Sequence, residues 1–212
     1  GVTGVTIRMQ GEERAWELLV GLDPQDVCRR SLSVFDQSAG TYNVGVFGMP
    51  VTVSAERRTM GGSNPDSDLV LKKMAYFSRL SILHYLIGAQ AVPSSGRLVK
   101  PLELKVGALY FRGSHVLPLD AIAARYRRDV DGFMGQGIRF GGRRQPFGDA
   151  AVELRPFPRL PVTVVLWRED DEFAARADLM LDATCEVHVP ADILWSIAMM
   201  SVKAMLQDPA GR

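Results

Sequence analysis

Cysteine is almost missing from this chain: its 212 residues include only Cys28 and Cys185. Two thiols exclude a disulfide framework and a four-cysteine iron–sulfur cluster. A chain of this length buries about 70% of its extended-chain surface, so its stability requires no such staple. Long apolar runs are also lacking, and none reaches the roughly 18 residues of a membrane-crossing helix. The N-terminus has no basic-then-apolar secretory layout. These absences point to a reduced, cytoplasmic protein, with Gly1 read as the remnant of a cleaved tag. Charge of one sign is scarce too: 25 Lys and Arg face 24 Asp and Glu, a formal net charge of +1. That balance gives no global pull toward nucleic acid or acidic lipid. Aromatic residues are sparsely interleaved with the basic segments, which argues further against a nucleic-acid partner. No GxSxG elbow is present, which argues against a serine hydrolase. Gly135-Gln136-Gly137 fails the dinucleotide fingerprint, because the third position after Gly137 is Phe140 and the flanking segments are wrong.

What the chain does contain is a series of periodic segments. Residues 12–20 predict a helix, and Asp23-Pro24 opens a second one through Leu32, with proline in the first turn. Residues 41–53 alternate and predict a hairpin turning at Gly48-Met49-Pro50. Residues 61–68 read as a loop, and residues 69–89 as the longest helix. A short strand is expected within 102–111 and a helix from Pro118 through Tyr126. Strands follow at 150–154, 161–167 and 179–181, and Pro190 starts the last helix. The segment PVTVVLW is continuously apolar, as in a strand buried on both faces. Helices and strands fall in blocks, which predicts a single α+β domain over residues 1–212. Its sheet is expected to be mixed or antiparallel, with helices packed on it.

Charge is concentrated locally. Residues 125–159 carry eight arginines and four acids. The glycine-rich turn beside Arg139, Arg143 and Arg144 suggests backbone N–H groups and guanidiniums gathered for an anion. A solvated surface is the plainer reading. Asp149 is either a turn residue bonded to its own backbone or a carboxylate orienting Arg143 or Arg144. Residues 169–172 are all acidic. They suit a hard cation or acid–base chemistry, or else Asp170 or Asp171 caps a short helix through Phe173 and Ala175. Cys185 and His188 have metal half-site spacing, but no second half-site exists. His84 is either an axial ligand to a haem or corrinoid metal or a packed helix residue. Cys28 is a nucleophile only if Arg29 and Arg30 depress its pKa.

Gly141, Gly142, Gly148, Asp149, Ala150, Leu160, Pro161, Trp167, Asp171, Glu172, Phe173, Ala175 and Asp182 form a pattern. It resembles an uncharacterised family of anaerobic bacteria and archaea, known as a domain of unknown function. The resemblance extends back to residues 84–89 and Gly96, and so covers most of the chain. It implies a setting in anaerobic metabolism. Some members are labelled iron–sulfur or corrinoid-related because of cysteine-rich segments, which this chain lacks, so cluster binding is not carried over. The match also raises Asp171 and Glu172 above their acidic neighbours.

The resulting expectation is a soluble accessory or binding protein. Arg143, Arg144 and Asp149 on one side, and Asp171 and Glu172 on the other, would flank one cleft beside Trp167, with His84 a further candidate ligand. The cleft would take an anionic cofactor, a corrinoid or another tetrapyrrole, or a partner protein. One alternative is a metal-dependent enzyme in which Asp171 and Glu172 hold the ion and arginines clamp a phosphate or carboxylate. Another is a structural subunit of a redox or methyl-transfer complex.

Overall fold

The computed structural model describes residues 2–209, with side chains from residue 11 onward; Gly1 lies outside them. Alternation builds the first sheet, an antiparallel meander of β1 (Val34–Asp36), β2 (Thr41–Val46), β3 (Met49–Ser54) and β4 (Thr59–Gly62). Tyr42, Val44 and Val46 point inward while Asn43 is exposed, the period of two that a one-sided sheet imposes. The hairpin turn is Phe47-Gly48, both residues at positive φ (51° and 74°), which matches the twist of the flanking strands. The turn expected at Gly48-Met49-Pro50 is therefore corrected, since Met49 and Pro50 already pair with Val46 and Gly45. β4 occupies part of the expected 61–68 loop. Its two glycines carry no strand signal, and only the ladder of β3 makes it a strand.

The second sheet is also antiparallel, in the order β5 (Leu98–Val99), β9 (Arg176–Asp182), β8 (Leu160–Trp167), β7 (Ala150–Phe157) and β6 (Arg143–Gln145). The continuously apolar strand is central β8, buried up to Leu166. Val152, Val164 and Leu179 lie opposite one another on the face that carries α5 (Leu119–Tyr126), α6 (Val130–Arg139) and α7 (Ala191–Met205). The other face carries Glu153, Thr163, Val165 and Asp178. The two sheets meet where β2 packs on β7 and the Phe47 N–H donates to the Pro156 carbonyl at 3.4 Å. One continuous apolar core links both sheets to α1 (Val2–Val20), α2 (Pro24–Ser31), α3 (Pro65–Lys72) and α4 (Ala75–Gly88). The α+β expectation holds.

Three local expectations are overturned. The single helix over 69–89 is two, α3 and α4, because Met74 leaves helical geometry (φ −105°, ψ 16°). There the Ser78 hydroxyl takes up the Val70 carbonyl at 2.8 Å. The strand expected within 102–111 is a run of 3₁₀ turns, Pro101–Glu103, Ala108–Phe111 and Gly113–His115. The glycine-rich stretch before Phe140 is helix α6, capped by Asp129, which accepts from the Gly132 N–H at 2.8 Å. Three glycines weaken its intrinsic helicity. Packing offsets that cost: a methyl built on Gly137 would stand 2.6 Å from Val152 Cγ2, so the helix lies directly on β7.

Candidate functional site

The antiparallel order sets two connections side by side at one end of the second sheet, residues 146–149 and residues 168–175. Ala150 pairs with Leu166, and Trp167 with Arg176. Between them lies a cleft of about 320 Å³ lined by Asp149, Trp167, Arg168, Asp170, Phe173 and Arg176. The Arg176 guanidinium stacks over the Trp167 ring, 4.2 Å from its centroid, and pairs with Asp178 at 3.9 Å, while the Asp149 and Asp170 carboxylates share the lining. Arg168 is exposed and makes no ion pair among the described residues.

The acidic connection is not the expected helix. The Asp170 carboxylate accepts from the Glu172 and Phe173 N–H groups at 2.9 and 2.7 Å, and the Asp170 N–H donates to the Phe173 carbonyl at 3.0 Å. Asp170 thus caps its own loop, and the N–H groups of Phe173 and Glu172 hold its carboxyl below the usual range. Glu169 pairs with Arg127 at 2.8 Å, and the Glu169 N–H donates to the Arg127 carbonyl. Asp171 and Glu172 are exposed and stand outside the cleft lining.

The arginine turn also differs from expectation. Arg143 and Arg144 are neighbours on edge strand β6, so they project to opposite faces. Arg143 stands opposite Glu153 on the face of Trp167, Arg144 stands opposite Val152 on the helix side, and neither lines the cleft. The turn's N–H groups are not offered to an anion either. Gly141 and Gly142 donate to the Ile138 and Gly137 carbonyls at 3.0 and 2.8 Å, closing the end of α6. Arg139 is committed to Asp66 at 2.8 Å. The Asp149 carboxylate accepts from the Arg168 N–H at 2.9 Å, and the Asp149 N–H donates to the Leu166 carbonyl at 2.9 Å. Asp149 is a turn residue that shapes the cleft and does not orient Arg143 or Arg144. Of the expected residues the cleft keeps Asp149 and Trp167, and its cations are Arg168 and Arg176. The sequence signal for Arg176 lies in the hairpin register that sets it across from Trp167, which no local pattern reveals.

His84 lies half-buried on α4, away from the cleft lining. Burial pushes its pKa down against the opposing pull of Asp192. Cys185 is fully buried, and burial pushes its thiol up to about 12. Burial also raises Cys28, while Arg29 and Arg30 both pair with Asp26. Neither thiol is activated. No group of three or more His, Cys, Asp or Glu among the described residues is placed to hold a metal ion.

His188 is buried. Its Nδ1 accepts from the Gln90 N–H at 3.1 Å, and its Nε2 finds no partner. Burial, helped by Arg159 and opposed by Asp182, lowers its pKa to about 4. A histidine held neutral in this way contributes stability above its unfolded pKa of about 6.5, and that contribution is lost as pH falls toward the folded value. Acidification from about pH 7 to 5 is expected to remove about 2 kcal/mol through this residue. His188→Asn, which keeps an acceptor for Gln90, should flatten that slope in urea melts run across the same range. An unchanged slope would refute the assignment.

No described helix is long and apolar enough to cross a membrane. Compared with known proteins, residues 23–204 match the family model described as a domain of unknown function, DUF3786. No curated protein and no solved structure matches the chain.

Proposed function

Because the chain belongs to the DUF3786 family, whose description assigns no activity, we propose a function from its own site: it is a binding protein that takes an anionic group into the Trp167–Arg176 cleft. The observation that carries this reading is the guanidinium of Arg176 held over an indole, 4.2 Å from the ring centroid, in a concave site beside Arg168. That cation–π contact fixes the guanidinium, whose forked N–H donors match a planar oxyanion. Arg168 adds a second cation with no ion pair of its own among the described residues. A cleft of about 320 Å³ is at the small end of ligand sites. It suits a phosphate, a carboxylate, or the acidic side chain of a larger molecule.

The narrower reading is an accessory protein of anaerobic metabolism, cytoplasmic, that engages a corrinoid or another tetrapyrrole through its periphery. His84 is not among the residues that line this cleft, so it has no part in that reading. The metal-dependent enzyme gains no support from the donors, since Asp171 and Glu172 are adjacent and exposed, with no third ligand grouped with them among the described residues.

Calorimetric titration with pyrophosphate, citrate, uroporphyrin and hydroxocobalamin tests these readings. Saturable binding of at least one anion is expected. Arg168→Ala and Arg176→Ala should each weaken it about tenfold or more, the loss of a charge-assisted hydrogen bond. Arg144→Ala should leave it unchanged. Heat from hydroxocobalamin or uroporphyrin that the same variants abolish would favour the tetrapyrrole version. If no probe binds, or if Arg144→Ala weakens binding as much as Arg176→Ala does, the cleft is not the site.

A further inference from the structure

The Trp167–Arg176 cleft carries charge of both signs. Two aspartates, Asp149 and Asp170, line it together with Arg168 and Arg176. These opposite charges do not neutralise one another. Among the described residues, Asp149, Asp170 and Arg168 make no ion pair. Arg176 pairs with Asp178, at a long 3.9 Å, and Asp178 stands outside the lining. Each aspartate of the cleft has one oxygen engaged. Asp149 Oδ2 accepts from the Arg168 N–H at 2.9 Å, and Asp170 Oδ1 accepts from the Glu172 and Phe173 N–H groups. The other two oxygens, Asp149 Oδ1 and Asp170 Oδ2, receive no hydrogen bond among the described residues. Bonds from neutral N–H groups fix where a carboxylate stands and leave its charge in place.

Two pairs of opposite charge in one concave site, not spent on each other, put two demands on a ligand. A simple anion meets Arg168 and Arg176 but brings its charge beside two carboxylates, and the repulsion offsets the attraction. A simple cation fails in the same way against the arginines. A molecule that carries both signs satisfies both sets, and the site rejects those that carry one. Phe173, 69% exposed, adds a ring to the lining beside the indole of Trp167. Such rings suit a short carbon chain, or an ammonium group over a ring face. We infer, on the reading of this cleft as an anion site, that its ligand is a small zwitterion. Arg168 and Arg176 hold its oxyanion, Asp149 and Asp170 hold its ammonium, and a short chain joins the two. The volume of about 320 Å³ keeps that chain short. An amino phosphate has this chemistry, either free or as the headgroup of a lipid.

The test compares O-phosphoethanolamine with ethyl phosphate, which has the same phosphate and lacks the ammonium. Calorimetric titration of the full chain at neutral pH should show phosphoethanolamine binding about tenfold tighter or more. Asp149→Asn with Asp170→Asn keeps an oxygen for the backbone N–H groups and removes both charges. The double variant should cut phosphoethanolamine affinity about tenfold and tighten ethyl phosphate binding. Aspartates that serve only to shape the loops would weaken both ligands when replaced. Phosphatidylethanolamine vesicles separate the two sources: co-sedimentation that the double variant abolishes assigns the lipid headgroup, and binding of free phosphoethanolamine alone assigns a soluble ligand. Ethyl phosphate that binds the natural chain as tightly as phosphoethanolamine would overturn the inference and leave the anion cleft standing. So would an ammonium advantage that survives the double variant, or binding of pyrophosphate or citrate without phosphoethanolamine. If none of these compounds binds, the anion reading fails and the zwitterion falls with it.

Discussion

Asp182→Ala is expected to destabilise the fold by about 4 kcal/mol, because it strands several buried donors at about 1–3 kcal/mol each. The side chain is 1% exposed. Oδ1 accepts from the Gly96 N–H at 2.8 Å, and Oδ2 from the Ser95 and Thr184 N–H groups at 3.0 Å each and from the Thr184 hydroxyl at 2.5 Å. The Ser95 hydroxyl reaches both oxygens. One carboxylate therefore fastens the 93–97 loop and the 183–184 turn to the end of β9, where Leu98 of β5 pairs with it. Burial alone would push the carboxyl up. The Thr184 hydroxyl, with the N–H groups of Ser95, Thr184 and Gly96, outweighs that and holds it below the ordinary value. Because the folded pKa is depressed, the contribution is fully present above about pH 3.8 and fades as pH falls below it. Asp182→Asn should cost nearly as much, since its NH₂ would face donors already in place. Urea unfolding at neutral pH measures both. A loss below about 1 kcal/mol would mean that water substitutes for the carboxylate, contrary to its burial.

Gly141→Ala is the second large effect, about 3 kcal/mol of destabilisation. Gly141 has φ 73°, and a methyl built on it would stand 2.5 Å from the Phe47 carbonyl oxygen. The left-handed backbone disfavours any side chain, and the obstacle is backbone of the β2–β3 turn, which cannot rotate away. The turn after α6 would have to lift off the first sheet. Gly135→Ala provides the contrast. It sits inside α6 with open space where its methyl would go, so it should stabilise by about 0.5–1 kcal/mol. Thermal melts of the two variants should move in opposite directions. A melting temperature that Gly141→Ala leaves unchanged or raises would show that these turns do not touch.

These two residues also change what the resemblance pattern means. Gly141, Gly142, Asp149 and Asp182 close helix α6, shape a turn and fasten loops, so they specify architecture. Trp167 belongs to the cleft, but its cationic partner Arg176 lies outside the pattern. Arg143 and Arg144 flank the glycines in the chain yet belong to an edge strand. There their charge discourages pairing with another sheet edge.

Several features follow from the sequence by itself. The α+β class, the doubly buried β8, the Asp23–Pro24 start of α2 and the hairpin at 41–53 all rest on local chemistry: periodicity, turn residues and caps. Only the tertiary structure decided that glycine-rich residues 130–139 are a helix, that Thr59–Gly62 is a strand, and that Arg168 and Arg176 rather than Arg143 and Arg144 meet Trp167. The reason is the same in each case. α6 is helical because β7 lies against its glycines, β4 is a strand because β3 supplies its hydrogen bonds, and the cleft exists because the β8–β9 register sets Trp167 across from Arg176. Such pairings join residues far apart in the chain, and local propensity carries no record of which distant strand will arrive.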